Sequence, residues 1–513
     1  MADLPPIKDN RDNNAQVAKG AGLAFLGRLG ALIELVGLPL FTYAYGGATL
    51  GLFFTLWGVF RITSGLTDFA MTTALQRFVP KKQDPAYQYA VLKVALVSGL
   101  SISSMVALLF TIFASQIANL FNASESDAVH ITTLIQIYCW VLVPWALVEI
   151  FTASVRAQRA FGPEIRIRIF YEQLLRIVAA MLFAWAGYQT FGLFFAHLFS
   201  VMIAALLAAK LASRYYDFGH ILRTPFDGAL AREIWAFAIP MIPANLVKRL
   251  VSELPVVILN MLLPGAQGAE AAGIYGIARK ISSVLLVVRQ SFEYVLAPFA
   301  THHHSCDERE ELQNAFHFIL RLTLTFLIPL ATLLLLTREE LLSLFAPEIM
   351  AAAPIIVILL VGRLIEGLMG PSPTLIEMIG NRWLPVVNSS IGIFILIVLH
   401  FILIPDMGVA GAAISASIGL NITAMLNVLQ CQFVYKYKPF SMAAFKPVCV
   451  ALAMSVVMYF IHETTVQWGG GVAISATLVS FFLSILISGR LGLSNDDLKH
   501  LGTFGRIIGG KRP

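Results

Sequence analysis

Five basic residues lie inside two long apolar segments near the middle of the chain. They are Lys248, Arg249, Arg279, Lys280 and Arg289, within residues 238–263 and 274–299. Each segment can cross a bilayer, because about 20 apolar residues rising about 1.5 Å each span the hydrocarbon core. A cation at that depth is costly unless it faces a bundle interior, water or an anion. Lys248 and Arg249 lie midway along their segment, too deep to snorkel to an interface. The pattern predicts positive charge inside a membrane bundle.

Two more cations and four acids extend this set. Arg28 and Arg61 lie in the first two apolar segments, and the acids are Glu34, Asp68, Glu253 and Glu293. Three pairs have a spacing that suits contact along one helix: Arg61/Asp68, Arg249/Glu253 and Arg289/Glu293. Four acids cannot neutralise all seven cations. We therefore predict that the seven cations line a cavity that binds an anion. The alternative is a set of internal ion pairs that hold the helices together.

The residue types indicate which anion and which coupling chemistry would fit. A guanidinium binds phosphate through two parallel hydrogen bonds and stays charged at depth. The sequence has no Walker A motif or glycine-rich phosphate loop, so we expect no cofactor. The four acids are candidates for proton or sodium coupling, or for local charge balance, which is the simpler role. Pro240 and Pro243 would kink their segment below Lys248 and Arg249, either as a gating hinge or as tolerated packing.

One tract has the composition of a metal site: His302, His303, His304 and Cys306. It lies in a charged loop, and its spacing matches no standard zinc pattern. We favour a solvated loop and predict no metal site. The four cysteines of the chain show no paired spacing, and three of them lie within or at the edge of apolar segments, which favours small core residues over disulfides.

The composition is that of a polytopic membrane protein. Of 513 residues, 58% are hydrophobic and only 13% are charged, with a mean hydropathy of +0.77. Soluble proteins carry about 25% charged residues. The net charge of +6 does not indicate nucleic acid, because the basic residues gather in short loops on one side, as the positive-inside rule expects. The first residues are polar and do not resemble a cleavable signal peptide. Both termini are therefore predicted to be cytoplasmic.

Apolar segment length and polar breaks predict fourteen membrane spans. They are residues 20–45, 49–76, 90–119, 130–154, 169–189, 191–212, 235–263, 271–299, 315–337, 349–370, 384–405, 408–431, 442–462 and 471–489. Alternate loops then separate by charge, and an error of one span would destroy this separation. The predicted class is an all-α polytopic membrane protein.

Four short matches indicate an internal duplication. Gly51 and Gly273 lie 222 residues apart in similar segments, Gly192 and Gly411 lie 219 apart, Tyr215 and Tyr435 lie 220 apart, and Arg28-Leu29 and Arg249-Leu250 lie 221 apart. Matches at nearly one offset favour two copies. Six spans per copy is an even number, so the copies enter the membrane from the same side and are parallel repeats.

The duplication predicts the following domain boundaries. They are a cytoplasmic tail at 1–19, a six-helix lobe at 20–212, a cytoplasmic linker at 213–234, a second six-helix lobe at 235–431, an additional helix pair at 432–489 and a cytoplasmic tail at 490–513. Spans one and two then correspond to spans seven and eight, so the deep cations occupy equivalent helices.

Several segments carry a family resemblance. They are GLTDFAMTTALQRFVP, REIWAFAIPMIP, GIYGIARKISSVL and GNRWLPVVNSSIGIFILIVLHFILIPDMGVAGAAISASIG. They resemble the Wzx-like polysaccharide flippases of the multidrug/oligosaccharidyl-lipid/polysaccharide (MOP) exporter superfamily, over nearly the whole chain. The resemblance implies a V-shaped, two-lobed (MATE/MurJ-like) bundle that works by alternating access in the cell inner membrane. The implied cargo is an undecaprenyl-pyrophosphate-linked oligosaccharide, moved from the cytoplasmic to the periplasmic leaflet for O-antigen, capsule or exopolysaccharide synthesis. The cations Arg28, Arg61, Arg249 and Arg279 occupy helices comparable to those thought to meet the pyrophosphate.

Three other functions are alternatives to a polysaccharide flippase. A lipid II flippase would share the cationic cavity, whereas a cation-coupled multidrug exporter would be expected to favour acids and aromatic residues. A membrane glycosyltransferase or polymerase would usually need a sizeable extracytoplasmic loop with catalytic groups, and the predicted loops on that side are short. We therefore expect a transporter and not an enzyme. The expected partners are the lipid-linked oligosaccharide, the bilayer and polysaccharide polymerase or export machinery, without nucleic acid.

Overall fold

The computed structural model describes residues 31–82, 84–158, 166–293, 309–380, 383–439 and 445–493. Within these ranges the regular structure is entirely helical, which confirms the predicted all-α class. In the described part of the chain, ten helical stretches are long and apolar enough to cross a membrane, or eleven if one bent pair is counted as a span. The chain is therefore a multi-pass membrane protein.

The helices follow one another with short connections. The first set is α1 (Ala31–Tyr45), α2 (Gly47–Thr67), α3 (Met71–Phe78), α4 (Pro85–Ile112), α5 (Ala114–Ala118), α6 (Glu125–Ala128), α7 (Ile131–Tyr138), α8 (Leu142–Ala157), α9 (Glu172–Trp185), α10 (Gln189–Ala212), α11 (Phe218–Arg223) and α12 (Gly228–Ala238). The second set is α13 (Ile242–Leu262), α14 (Gly265–Ser282), α15 (Val284–Glu293), α16 (Arg309–Leu336), α17 (Arg338–Leu342), α18 (Ala353–Leu368), α19 (Ser372–Ile379), α20 (Leu384–Phe433), α21 (Phe445–Val466) and α22 (Gly470–Gly492).

The count of fourteen spans stays a prediction. The first predicted span, 20–45, is described only from residue 31. The fifth, 169–189, comprises a π-helix over Arg166–Tyr171 followed by the 14-residue α9. The eighth is the bent pair α14 and α15, whose axes differ by 42°. The eleventh and twelfth are joined in α20, which bends at Gly408 with φ 54°, a left-handed conformation that glycine adopts without steric cost.

The two prolines predicted as a gate mark a break between helices. Pro240 lies in a single 3-10 turn, Ile239–Met241, between α12 and α13. Pro243 lies in the first turn of α13, where the missing proline N–H removes no intrahelical hydrogen bond. These positions explain how the prolines are tolerated, whereas their gating role stays a prediction.

A close contact between α2 and α14, which we call the glycine seam, comprises Gly47, Gly51, Ala269 and Gly273. A Cβ atom added to Gly51 would lie 1.8 Å from the Ala269 carbonyl oxygen and 2.6 Å from the Gly273 nitrogen. A Cβ atom added to Gly273 would lie 2.4 Å from the Gly47 oxygen. Small residues allow helix backbones to approach this closely in membranes.

The glycine seam has the symmetry that the duplication predicts. An offset of 222 relates Gly51 to Gly273 and also relates Gly47 to Ala269. The contact of Gly51 with Ala269 is therefore the equivalent of the contact of Gly273 with Gly47. In a two-fold contact, each copy presents the same patch to the other. The two copies of the predicted repeat thus meet along equivalent helices.

A further contact gives the direction of these two helices. A Cβ atom added to Gly276 would meet the ring of Phe54, and these two residues are again related by the offset of 222. Equivalent residues therefore meet at two levels, Gly51 with Gly273 and Phe54 with Gly276. From the first contact to the second, the residue number rises in both helices. Helices α2 and α14 therefore run parallel, as the predicted repeat requires.

A pair of asparagines, Asn122 and Asn260, lies near the C-terminal end of α13. The Asn122 backbone N–H donates to Asn260 Oδ1 at 3.0 Å, and the Asn122 side-chain amide donates to the Asn260 carbonyl at 2.8 Å. The Asn260 amide donates to the Asn122 carbonyl at 2.8 Å. Because Asn260 is fully buried, these bonds satisfy polar groups that would otherwise be costly in the bundle. They join the two predicted lobes beside the glycine seam.

The domain boundaries derived from the repeat stay a prediction. The linker predicted at 213–234 contains α11 and the start of α12, each capped by an aspartate side chain, Asp217 and Asp227. Helices α21 and α22, the predicted additional pair, pack on each other and on α16.

Candidate functional site

A largely buried carboxylate joins three helices. Glu34 on α1 lies 2.9 Å from the Lys280 ammonium on α14 and 3.0 Å from the Arg176 guanidinium on α9. We call these three residues the Glu34 cluster. Glu34 was predicted to act in coupling or charge balance, and its two ion pairs suit charge balance. Sequence reasoning missed Arg176, although a cation within the predicted span 169–189 was a sufficient signal.

Arg279, the neighbour of Lys280, has a different partner. Its guanidinium lies 3.0 Å from the Glu253 carboxylate on α13 and donates to the Ser252 carbonyl at 2.6 Å. Helical spacing had predicted that Glu253 pairs with Arg249, and that prediction is wrong. The Arg249 side chain extends towards α2 instead. The Glu253 carboxylate pairs with Arg279 on the facing helix, α14.

Arg61 on α2 contacts α8. Its guanidinium lies 3.7 Å from the Glu149 carboxylate and 5.1 Å from the centroid of the Trp145 ring. The predicted Arg61–Asp68 pair stays a prediction. Helix α2 ends at Thr67, and Asp68 is its C-terminal cap. The Asp68 carboxylate accepts a hydrogen bond from the Thr72 hydroxyl at 3.1 Å.

The second charged cluster lies between α15 and α18. Arg289 pairs with Glu293 at 3.4 Å, which confirms the predicted contact along one helix. Arg289 also contacts Glu366, and Arg363 lies 2.9 Å from the same carboxylate. Glu366 and Arg363, on α18, were missed by sequence reasoning. Both lie within the predicted span 349–370, so charged residues in an apolar segment were again the available signal.

Lys248 and Arg249 are adjacent but lie in different surroundings. The Lys248 ammonium lies 2.6 Å from Glu377, and both side chains are about half exposed, at 59% and 46%. The Arg249 guanidinium donates to the Ser64 hydroxyl and to the Arg61 carbonyl, the latter at 3.3 Å. Its Cδ atom packs over Gly65, where an added Cβ would approach to 2.9 Å. Arg249 thus reaches from α13 to α2 through neutral acceptors.

The structure changes the charge balance on which the cavity prediction depended. It adds three acids that sequence reasoning had not counted, Glu149, Glu366 and Glu377, and two cations, Arg176 and Arg363. Most of the predicted cations therefore have a carboxylate partner, as the alternative of structural ion pairs expects. Of the deep cations that the structure describes, Arg249 is the one bound by neutral groups without a carboxylate within 4.0 Å. Arg28 lies outside the described residues.

The described residues contain no group of three or more His, Cys, Asp or Glu side chains that could hold a metal ion. The tract His302, His303, His304 and Cys306 lies outside the described residues. The expected absence of a metal and of a cofactor therefore stays a prediction.

Comparisons with known proteins identify a family and a fold. A family model described as "Polysaccharide biosynthesis protein" matches residues 54–348. No curated protein sequence matches the chain. Among solved structures, a lipid II flippase MurJ in an inward closed conformation aligns with a TM-score of 0.72 at 16% identity, covering 90% of this chain and 97% of that one.

Multidrug transporters align less closely. The MATE transporter DinF-BH aligns with a TM-score of 0.59 at 17% identity, covering 83% of this chain and 97% of that one. A point mutant of the Vibrio cholerae MATE transporter VcmN aligns with a TM-score of 0.53 at 14% identity, covering 82% and 98%. At these identities the likeness establishes the fold, and it confirms the predicted MATE/MurJ-like architecture.

Proposed function

The chain belongs to the polysaccharide biosynthesis protein family, and from that premise we propose that it moves a lipid-linked oligosaccharide across a membrane. The cargo is an undecaprenyl-pyrophosphate-linked unit, taken from the cytoplasmic to the periplasmic leaflet of the inner membrane for surface polysaccharide synthesis. The protein acts as a transporter by alternating access and not as an enzyme. Its termini are cytoplasmic, and its product passes to polysaccharide polymerase or export machinery.

The surroundings of the Arg249 guanidinium are the observation that supports an anionic cargo. It lies between α13 and α2, which belong to different halves of the predicted repeat, and its acceptors are a hydroxyl and a carbonyl. A guanidinium without a carboxylate partner keeps its charge available for a phosphate, and it can bind one through two parallel bonds. Arg279, Lys280, Arg289 and Arg61 have carboxylates that a diphosphate would have to displace, so Arg249 is the first contact.

The surroundings of the deep acids bear on proton or sodium coupling. Glu34, Glu253 and Glu293 are each engaged by a cation, which favours charge balance over proton or sodium binding. Asp68, the C-terminal cap of α2, stays a candidate for proton or sodium coupling.

The test replaces Arg249 with Ala in cells that lack the natural gene. We expect surface polysaccharide to be lost while the protein still reaches the membrane, and Arg249→Lys to restore only part of it, because lysine keeps the charge without the planar fork. Arg338→Ala is the matched control, since that arginine pairs with its neighbour Glu339 away from the deep cations. Normal polysaccharide in both Arg249→Ala and Arg28→Ala cells would contradict the proposal.

A second candidate is favoured by one specific observation. A lipid II flippase aligns better than the multidrug transporters do, with a TM-score of 0.72 against 0.59 and 0.53. Cells without the gene separate the alternatives. Accumulation of lipid-linked oligosaccharide on the cytoplasmic leaflet indicates the proposed flippase, accumulation of lipid II indicates the second candidate, and altered resistance to cationic drugs alone indicates an exporter. Accumulation on the periplasmic leaflet would indicate a polymerase.

A further inference from the structure

Two tryptophans lie close together among the deep cations. Trp57 on α2 and Trp145 on α8 have ring centroids 6.2 Å apart, with planes inclined at 57°. The Lys280 ammonium lies 4.9 Å from the Trp57 ring centroid, and the Arg61 guanidinium lies 5.1 Å from the Trp145 ring centroid. Each indole thus carries a cation over its face, within the distance at which cation–π attraction is significant. Trp57 is partly exposed, whereas Trp145 is buried.

The same indole faces can bind a sugar ring. The face of an aromatic ring is its negative side and attracts any positively polarised group. An ammonium or guanidinium satisfies it, and so does the face of a pyranose ring, whose C–H groups carry partial positive charge. A cation and a sugar therefore compete for one surface. Lys280 and Arg61 also contact the carboxylates of Glu34 and Glu149, so each is already shared between two attractive groups.

A diphosphate would change this competition. Phosphate attracts Lys280 and Arg61 more strongly than an indole does, because a full negative charge replaces a quadrupole. Both cations would then move towards the phosphate and leave the indole faces. The first sugar of a lipid-linked saccharide is bonded directly to the diphosphate, so a phosphate held by these cations places that sugar beside Trp57 and Trp145.

We infer that Trp57 and Trp145 form a subsite for the first, phosphate-linked sugar of the cargo. This inference rests on the proposed function and extends it from the anionic group to the saccharide. Trp57, the more exposed of the two, provides most of the contact. In this arrangement the cations cover the indoles when the site is empty and bind the diphosphate when it is occupied, so sugar binding depends on diphosphate binding.

The experiment compares two probes on the full chain in lipid nanodiscs. One probe is farnesyl diphosphate, and the other is the same diphosphate carrying a single N-acetylhexosamine. We expect Trp57→Leu to weaken binding of the sugar-bearing probe about tenfold, as the loss of one aromatic contact would. Binding of the sugar-free probe should stay within about twofold of the natural chain. Trp57→Phe should retain most of the affinity for both probes.

Two controls separate this subsite from a structural role. Trp185→Leu removes an indole that is 89% exposed at the end of α9, and it should alter binding of neither probe. Arg61→Ala should weaken both probes, because it removes a phosphate ligand. Equal losses of both probes in Trp57→Leu, or no loss of either, would overturn the sugar subsite while leaving the flippase proposal intact. Failure of the natural chain to bind either probe would overturn the proposed function, and the subsite with it.

Discussion

The glycine seam joins α2 to α14 through backbone atoms, whereas the Glu34 cluster joins α14 to α1 and α9 through charged side chains. The two regions are close together, since Gly273 and Lys280 are seven residues apart on α14, or about 10 Å along its axis. In the seam, an added Cβ at Gly51 would approach a carbonyl oxygen to 1.8 Å. In the cluster, one carboxylate holds two cations at 2.9 and 3.0 Å.

The difference shows two ways of holding a membrane bundle together. Helices in lipid gain little from the hydrophobic effect, so backbone packing between small residues is one source of attraction, and it depends on shape alone. Ion pairs are another source, and an anion can exchange with their carboxylate. We therefore expect the seam to respond to added volume and the cluster to respond to changed charge.

The largest expected effect comes from removing the charge of Glu34. Glu34→Gln leaves Lys280 and Arg176 without their anionic partner in a largely buried site, which typically costs about 3–5 kcal/mol. We expect a clearly lower thermal unfolding midpoint in nanodiscs and loss of transport. Glu339→Gln, which breaks an exposed pair with Arg338, is the control and should have little effect. An unchanged midpoint for Glu34→Gln would show that the cluster does not stabilise the bundle.

The next effect comes from a single methyl group in the seam. Gly51→Ala places a Cβ against the backbone of α14, which cannot rotate away, so we expect a cost of about 1–3 kcal/mol. The repeat predicts a similar result for Gly273→Ala, whose Cβ would lie 2.4 Å from the Gly47 oxygen. Thermal unfolding and surface polysaccharide are the measurements. Gly471→Ala, with no atom within 4 Å of the added Cβ, is the matched control. If Gly51→Ala and Gly273→Ala both had the thermal unfolding midpoint of the natural protein, the close packing would be contradicted.

The smallest expected effect on stability is that of Lys248→Ala. Its pair with Glu377 is about half exposed, and such pairs contribute about 0–1 kcal/mol. The thermal midpoint should hardly change. Lys248 is also a predicted cargo ligand, so surface polysaccharide is measured in the same cells. A loss of polysaccharide with an unchanged midpoint would support contact with the cargo, whereas a large fall in the midpoint would contradict the distinction between exposed and buried pairs.

Much of the architecture was predictable from local sequence. The all-α class, the membrane location and the MATE/MurJ-like fold were confirmed, because hydrophobic length and short motifs are properties of continuous segments. The Arg289–Glu293 pair was also predictable, since both residues lie one turn apart on α15. The repeat match of Gly51 with Gly273 even identified two residues that meet in space.

The partners of the deep cations were not predictable in the same way. Helical spacing assigned Glu253 to Arg249, whereas the structure pairs Glu253 with Arg279 and places the Arg249 guanidinium on Ser64. Arg61 contacts Glu149, an acid on another helix. Spacing along one helix identifies only neighbours on that helix. Glu149 and Glu366 lie on other helices, and nothing in their own segments indicates which cation they meet.

The sequence by itself determined which segments are apolar enough to cross a membrane and which of them carry charge at depth. Both follow from the transfer free energies of individual side chains, which depend on residue type and on position within a segment. Tertiary structure alone decided that Lys280 meets Glu34, 246 residues away, and that Arg249 meets a hydroxyl. A charge in the bundle must be satisfied by whichever group packing brings within reach, and packing depends on the surfaces of several helices at once.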